Sequence, residues 1–235
     1  MKNGISVSDS LQRLRNDTDG TAFLEFTMFV GVFFTLLFGI IEFSLAYSQW
    51  NAATKAVQLG ARLAAVSDPV ATGLESLTGM EGSAEPGDVM PSFSAVCYSD
   101  SITGATGSCT CSGFSCSYDV NSAAAIRRIA FGRSDRTACS ETAPIGMCNI
   151  FRSVTPANVV VEYQYTGLGY AGRPAAEYAT GQFASHAVPT ISVSIGDPAD
   201  PIPFQFFFLA GLMGFNDIEI PGLLSTVTGE DLSGQ

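Results

Sequence analysis

The chain has 235 residues, 46% of them hydrophobic and only 14% charged. That composition is apolar for a soluble protein yet leaves too little apolar length for several membrane spans. The formal charge of -11, from 22 acidic and 11 basic residues with no basic run longer than Arg127-Arg128, excludes a phosphate-binding patch and with it a nucleic-acid partner.

The first element in chain order is an uncharged run of sixteen residues from Phe26 to Ile41, flanked by Glu25 and Glu42. At a rise of about 1.5 Å per residue, the two glutamates stand roughly 26 Å apart, close to the ~30 Å of a bilayer's hydrocarbon. They bracket a membrane span. Tyr47 and Trp50 follow one and two turns later, where amphipathic rings favour the headgroup level. A secretory signal peptide is the competing reading, but the run is longer than an h-region and ends without a small-x-small site. Lys2, Arg13 and Arg15 precede the span while Lys55 and Arg62 follow it, which leans toward a cytoplasmic N-terminus.

No proline interrupts residues 21 to 66, and NAATKAVQLGARLAAVS is rich in helix formers. One continuous helix is expected from Thr21 to Ser67, stopped by Asp68-Pro69. It would be roughly 70 Å long, with residues 25–46 in the membrane and the rest projecting. On the projecting half, Ala53, Val57, Gly60 and Ala64 share one face, suited to packing on the chain's own domain. Inside the span, Gly31, Thr35 and Gly39 recur every four residues and form a small-residue stripe that lets a second helix approach. The equal alternative is the general abundance of glycine in membrane helices.

All six cysteines, Cys97, Cys109, Cys111, Cys116, Cys139 and Cys148, lie beyond the span. Their even number reads as disulfides in an oxidising compartment, which puts the C-terminal portion outside the cytoplasm and leaves the pairing open. Zinc fits less well, because C-x-C-x4-C lacks a paired CxxC and the single histidine, His186, is remote in sequence. No metal or cofactor is expected.

From Pro69 to residue 118 the chain reads as irregular and polar, its order dependent on cross-links. NSAAAIRRIAFG at 121–132 reads as a short helix capped by Asn121 or Ser122 and ended by Gly132, with Arg127 and Arg128 solvated. NVVVEYQY from Asn158 and ISVSI at 191–195 alternate with a period of two and predict paired antiparallel strands, with IEIPG and LLSTVTG adding β character. Asp197 and Asp200 in GDPADP suit calcium or a proline-rich turn. PIPFQFFFLAGLMGF at 201–215 is too short to span a bilayer and suits contact with lipid or a partner subunit, or else a place in the core. The fold expected is α+β: a long N-terminal helix, then an exported domain holding an antiparallel sheet and a disulfide-rich irregular region.

Gly20, Glu25 and Phe26 at the head of an apolar helix resemble the start of a type IV prepilin of the tight-adherence kind. With Arg15 ahead of the glycine, FGIIEF at 38–43 and GARLAA at 60–65, the chain is similar to TadE-like pseudopilins over about 50 residues. TISVSI at 190–195 and LLSTVTGED add a weaker pattern. The Cys-rich block at 97–119 has no counterpart in that resemblance, and Asp17 and Asp19 stand where basic residues are more usual.

The resemblance implies a cytoplasmic leader, residues 1–20, cut by a prepilin peptidase between Gly20 and Thr21, and an extracytoplasmic domain over residues 68–235. It implies that Glu25, followed by Phe26, pairs with the new α-amine of a neighbouring subunit. The expected function is a minor pilin or pseudopilin that enters or primes a tight-adherence pilus at the bacterial inner membrane, with other pilins and Tad-type secretion machinery as partners. An uncleaved envelope anchor whose domain scaffolds secretion or binds a ligand is the alternative. No HExxH, GxSxG or phosphate loop occurs, so no enzyme is expected.

Overall fold

The computed structural model describes residues 19–80, 84–173, 187–196 and 223–229. The leader residues before Asp19, His186, the Asp197/Asp200 turn, the 201–215 stretch and IEIPG lie outside the described residues.

Helix α1 runs Asp19–Ala65. It begins two residues before Thr21 and ends two before Ser67, whose hydroxyl turns back to donate to the Leu63 carbonyl. Arg62 in its last turn complements the negative end of the helix dipole. Its two halves meet different surroundings. Phe23 and Phe43 are 73% and 74% exposed, whereas Ala53, Ala56, Val57, Ala61 and Ala64 are buried. Ala53, Val57, Gly60 and Ala64 thus face the chain's own domain, as their spacing indicates. At Gly60 an added Cβ would stand 3.1 Å from Met147 Cγ and 3.2 Å from Val193 Cγ1, so the missing side chain sets how closely helix and sheet approach.

The helix packs on a five-stranded sheet in the order β2-β1-β3-β4-β5, antiparallel throughout. Its strands are β1 Ser94–Ser99, β2 Gly107–Ser112, β3 Val159–Gln164, β4 Thr190–Ile195 and β5 Leu223–Thr228. Strands β3 and β4 fall where the period of two puts them, and β5 lies in the LLSTVTG run read as having β character. Register aligns Cys109, Cys97, Val161, Val193 and Ser225 in one row across the sheet. The domain is the α+β architecture expected.

The reading of residues 69–118 as irregular is corrected by β1 and β2. In β1 the inward positions are Ala95, Cys97 and Ser99, all buried; in β2 they are Gly107, Cys109 and Cys111. Small inward residues carry little of the apolar alternation that marks a strand. All six cysteines pair, as Cys97–Cys109, Cys111–Cys116 and Cys139–Cys148. The first of these joins residues directly opposed in the β1–β2 ladder.

Helix α2, Val120–Phe131, is capped by Asp119 rather than by Asn121 or Ser122. The Asp119 carboxylate accepts from the Asn121 and Ser122 amides at 2.8 and 3.0 Å, and the Ser122 hydroxyl accepts from the Asp119 amide at 3.1 Å. Two of the helix's free donors are satisfied in this way. Arg127 and Arg128 are half-buried rather than solvated. Arg127 Nε donates to the Thr103 carbonyl at 2.7 Å and holds the β1–β2 turn onto the helix.

Beyond α2, Arg136 donates to the carbonyls of Phe131, Thr142, Ala143 and Pro144. It organises the loop that leads to the one-turn helix α3, Met147–Ile150, and to the Cys139–Cys148 bridge.

The exit from α1 is tied to the sheet by Tyr163 of β3. Its hydroxyl, fully buried, accepts from the Val70 amide at 2.9 Å. Tyr163→Phe leaves that amide without its acceptor in a dry site, and is expected to destabilise the domain by about 1–3 kcal/mol. A lowered urea midpoint with an unchanged denaturant slope is the signature to look for. An unchanged midpoint would mean that another acceptor reaches Val70.

Candidate assembly helix and processing site

The residues singled out for assembly all lie on the uncovered half of α1. Gly20, Thr21, Glu25 and Phe26 are exposed. An added Cβ at Gly20 would meet nothing within 4 Å. The Gly20-Thr21 bond lies next to Asp19, where the described helix begins. Glu25 stands one turn beyond Thr21, about 6 Å along the axis and on the same face.

Gly31 and Gly39 likewise have open space where a Cβ would stand. The stripe they make with Thr35 is exposed, with none of the described residues of the domain packed on it. The polar side chains of this half are adapted to an apolar medium. Thr27 Oγ1 donates to the Phe23 carbonyl at 2.7 Å and Thr35 Oγ1 to the Gly31 carbonyl at 2.9 Å, so neither hydroxyl needs water.

An aromatic ladder that the sequence reading did not single out runs along the same segment. Phe29 and Phe33 stack with centroids 6.4 Å apart, and Phe34 and Phe38 at 6.1 Å. Their i, i+4 spacing was the available signal. At about 100° per residue, Phe29 and Phe33 point roughly opposite Gly31, whereas Phe34 and Phe38 flank the small-residue stripe. Glu42, at the far end, is half-buried. Its Oε1 is shielded and has no hydrogen-bond partner among the described residues.

Elsewhere the geometry offers little chemistry. Among the described residues no group of three or more His, Cys, Asp or Glu side chains is placed to hold a metal. An open recess of about 400 Å³ lies between the β1–β2 turn and α2, lined by Thr106, Tyr118, Asp119 and Arg127 among others. Its polar groups are engaged within the fold: Tyr118 donates to the Gly104 carbonyl, Asp119 caps α2, and Arg127 holds Thr103.

Glu75 lies at the surface beside α1's exit, its carboxyl only partly withdrawn from water. Burial, reinforced by the Asp68 and Asp119 carboxylates, pushes its pKa above the usual 4.5. With the folded pKa above the unfolded one, folded protein binds the proton more tightly, so ionised Glu75 opposes folding at neutral pH. That stability is regained as pH falls through the raised value toward 4.5. Glu75→Gln is therefore expected to raise the urea midpoint at pH 7 and to move it little at about pH 4. Equal shifts at both pH values would assign the effect to packing rather than charge.

A bare apolar helix that continues as the spine of an antiparallel-sheet domain defines a helix-anchored α+β protein, with one candidate membrane span among the described residues. Residues 20–62, nearly all of that helix, match the family model described as TadE-like protein. This is the family that Glu25-Phe26, FGIIEF and GARLAA resemble, and an association with tight-adherence pili is the coarse class it supports. No curated protein and no solved structure matches the chain. The matched segment ends just before the helix does, so the cysteine-stapled domain lies beyond it.

Proposed function

We propose that the protein is a minor pilin or pseudopilin of a tight-adherence pilus, held in the inner membrane by α1 with its N-terminus cytoplasmic and its sheet domain exported. A prepilin peptidase removes residues 1–20 by cutting between Gly20 and Thr21. Glu25 then pairs with the Thr21 α-amine of an adjoining subunit, and Phe26 and the slim stripe of Gly31, Thr35 and Gly39 pack against neighbouring helices. The observation that carries this reading is the TadE-like match over a helix whose first half the chain's own domain leaves uncovered.

A carboxylate at the bilayer centre costs about 2.5–3.5 kcal/mol on insertion scales and less toward the interface. A fresh ammonium on a neighbour offsets that cost only when subunits are in register, which makes the pair a device for register as well as affinity. The small residues of the slim stripe matter for the same reason, since close approach of helices in lipid depends on van der Waals contact.

Mass spectrometry of the membrane-extracted protein is the direct test. Thr21 as first residue is expected. A chain that keeps Met1 in piliated cells would replace this reading with the uncleaved anchor.

A further inference from the structure

The three disulfides join cysteines that are consecutive in the chain. The first pairs with the second, the third with the fourth, the fifth with the sixth, at separations of 12, 5 and 9 residues. Each pair is therefore available to close as soon as its second member leaves a translocation channel from N- to C-terminus. Cys116 and Cys139 are 23 residues apart (139 minus 116), a span of up to about 75 Å of extended chain. The first four cysteines are thus exposed well before the last two.

Burial fixes when oxidation must happen. Cys97 and Cys148 are fully buried in the finished domain, so once the sheet packs on α1 no external sulfur reaches either residue. Their bonds must form before packing.

We infer that the exported domain is the substrate of an extracytoplasmic thiol oxidase, a protein carrying a reactive disulfide, which acts on the chain as it emerges, and that no disulfide isomerase is needed. This rests on the exported orientation proposed above. For each bond, a cysteine thiolate attacks the oxidant's disulfide and displaces one of its sulfurs as thiolate. The second cysteine thiolate then attacks the mixed disulfide, closing the protein's S–S bond and releasing the oxidant as a dithiol. Two electrons and two protons pass from the chain to the oxidant at each bond.

Order of emergence leaves open the competition among the first four cysteines, since Cys111 and Cys116 follow Cys109 by only two and seven residues. The β1–β2 hairpin resolves it. Register sets Cys97 directly opposite Cys109, and a local hairpin forms in microseconds, ahead of thiol exchange at seconds or longer. Cys111 is left facing Cys116, five residues on.

The test expresses the full-length chain in a complete bacterial host, in one lacking the extracytoplasmic thiol oxidase, and in one lacking the disulfide isomerase. Thiols are trapped with acid and a membrane-permeant maleimide, and disulfide peptides are mapped. The expected result is the three native bonds in undiminished yield without the isomerase, and largely free thiols in a protease-sensitive domain without the oxidase. A Cys97–Cys111 bond accumulating in the isomerase-deficient host would overturn the inference while leaving the pilin reading intact. Native bonds in full yield without the oxidase would do the same. Six free thiols in the complete host would overturn it by removing the exported orientation itself.

Discussion

Glu25→Ala is expected to reduce recovery of the protein in sheared pili by tenfold or more while leaving its level in the membrane unchanged. The two effects separate because Glu25 is exposed near the start of α1, far from Ala53, the first fully buried residue of the helix. The side chain contributes nothing to the core. What it loses is the subunit contact proposed above. Removing one member of an ion pair in a medium of low dielectric leaves the other charge uncompensated, at about 3–5 kcal/mol. Since about 1.4 kcal/mol is a factor of ten, even half of that shifts assembly by more than an order of magnitude. Glu25→Gln keeps the shape and one acceptor oxygen but not the charge, and should fall on the alanine side if electrostatics governs. Wild-type piliation in both variants would sink the amine-pairing proposal.

Gly132→Ala is expected to give the largest loss of stability in the domain. Gly132 ends α2 at φ 85, in the left-handed region, where a side chain costs about 1–2 kcal/mol. Space compounds the strain. An added Cβ would meet the Pro144 carbonyl oxygen and stand 2.7 and 2.8 Å from Ile145 C and Gly146 N. These are backbone atoms that cannot rotate away, and the same chain crossing makes Gly146 intolerant of a Cβ from the opposite side. Overpacking of this kind adds roughly 1–3 kcal/mol. A total near 3 kcal/mol would lower the urea midpoint by about 1–2 M for a slope typical of a small domain. Gly31→Ala is the matched control: its Cβ enters open space, so the domain's midpoint should not move. A Gly132→Ala midpoint within error of the parent would mean that the crossing relaxes cheaply, and the account of this junction would be wrong.

Where apolar period and breakers are strong, the sequence was readable. A run of 47 residues without internal proline, apolar in its first half, is a helix in any context, and Asp68-Pro69 stops it to within two residues. β3 and β4 follow from β-branched and aromatic residues every second position, and Gly132 ends α2 as its type implies. Even the face of α1 that meets the domain was legible, since small residues repeating every three or four positions have one packing use outside a membrane.

The cap of α2 was present in the sequence but misread. The spacing of Asp119 and Ser122 is a capping signature that begins two residues before Asn121. β1 and β2 are a different case. Their inward residues are Ala, Ser, Gly and Cys, so the strand signal is nearly silent until the hairpin closes and disulfide sulfurs occupy the space that larger side chains would fill.

Local chemistry therefore determined the helix, the three strands from Val159 onward and the residues that crown the uncovered end. Only the folded chain decided which cysteines meet, which strands neighbour one another, and that Arg127 turns inward to Thr103. Each of those outcomes depends on groups far apart in sequence being brought within contact distance, and one-dimensional spacing carries no record of such distances.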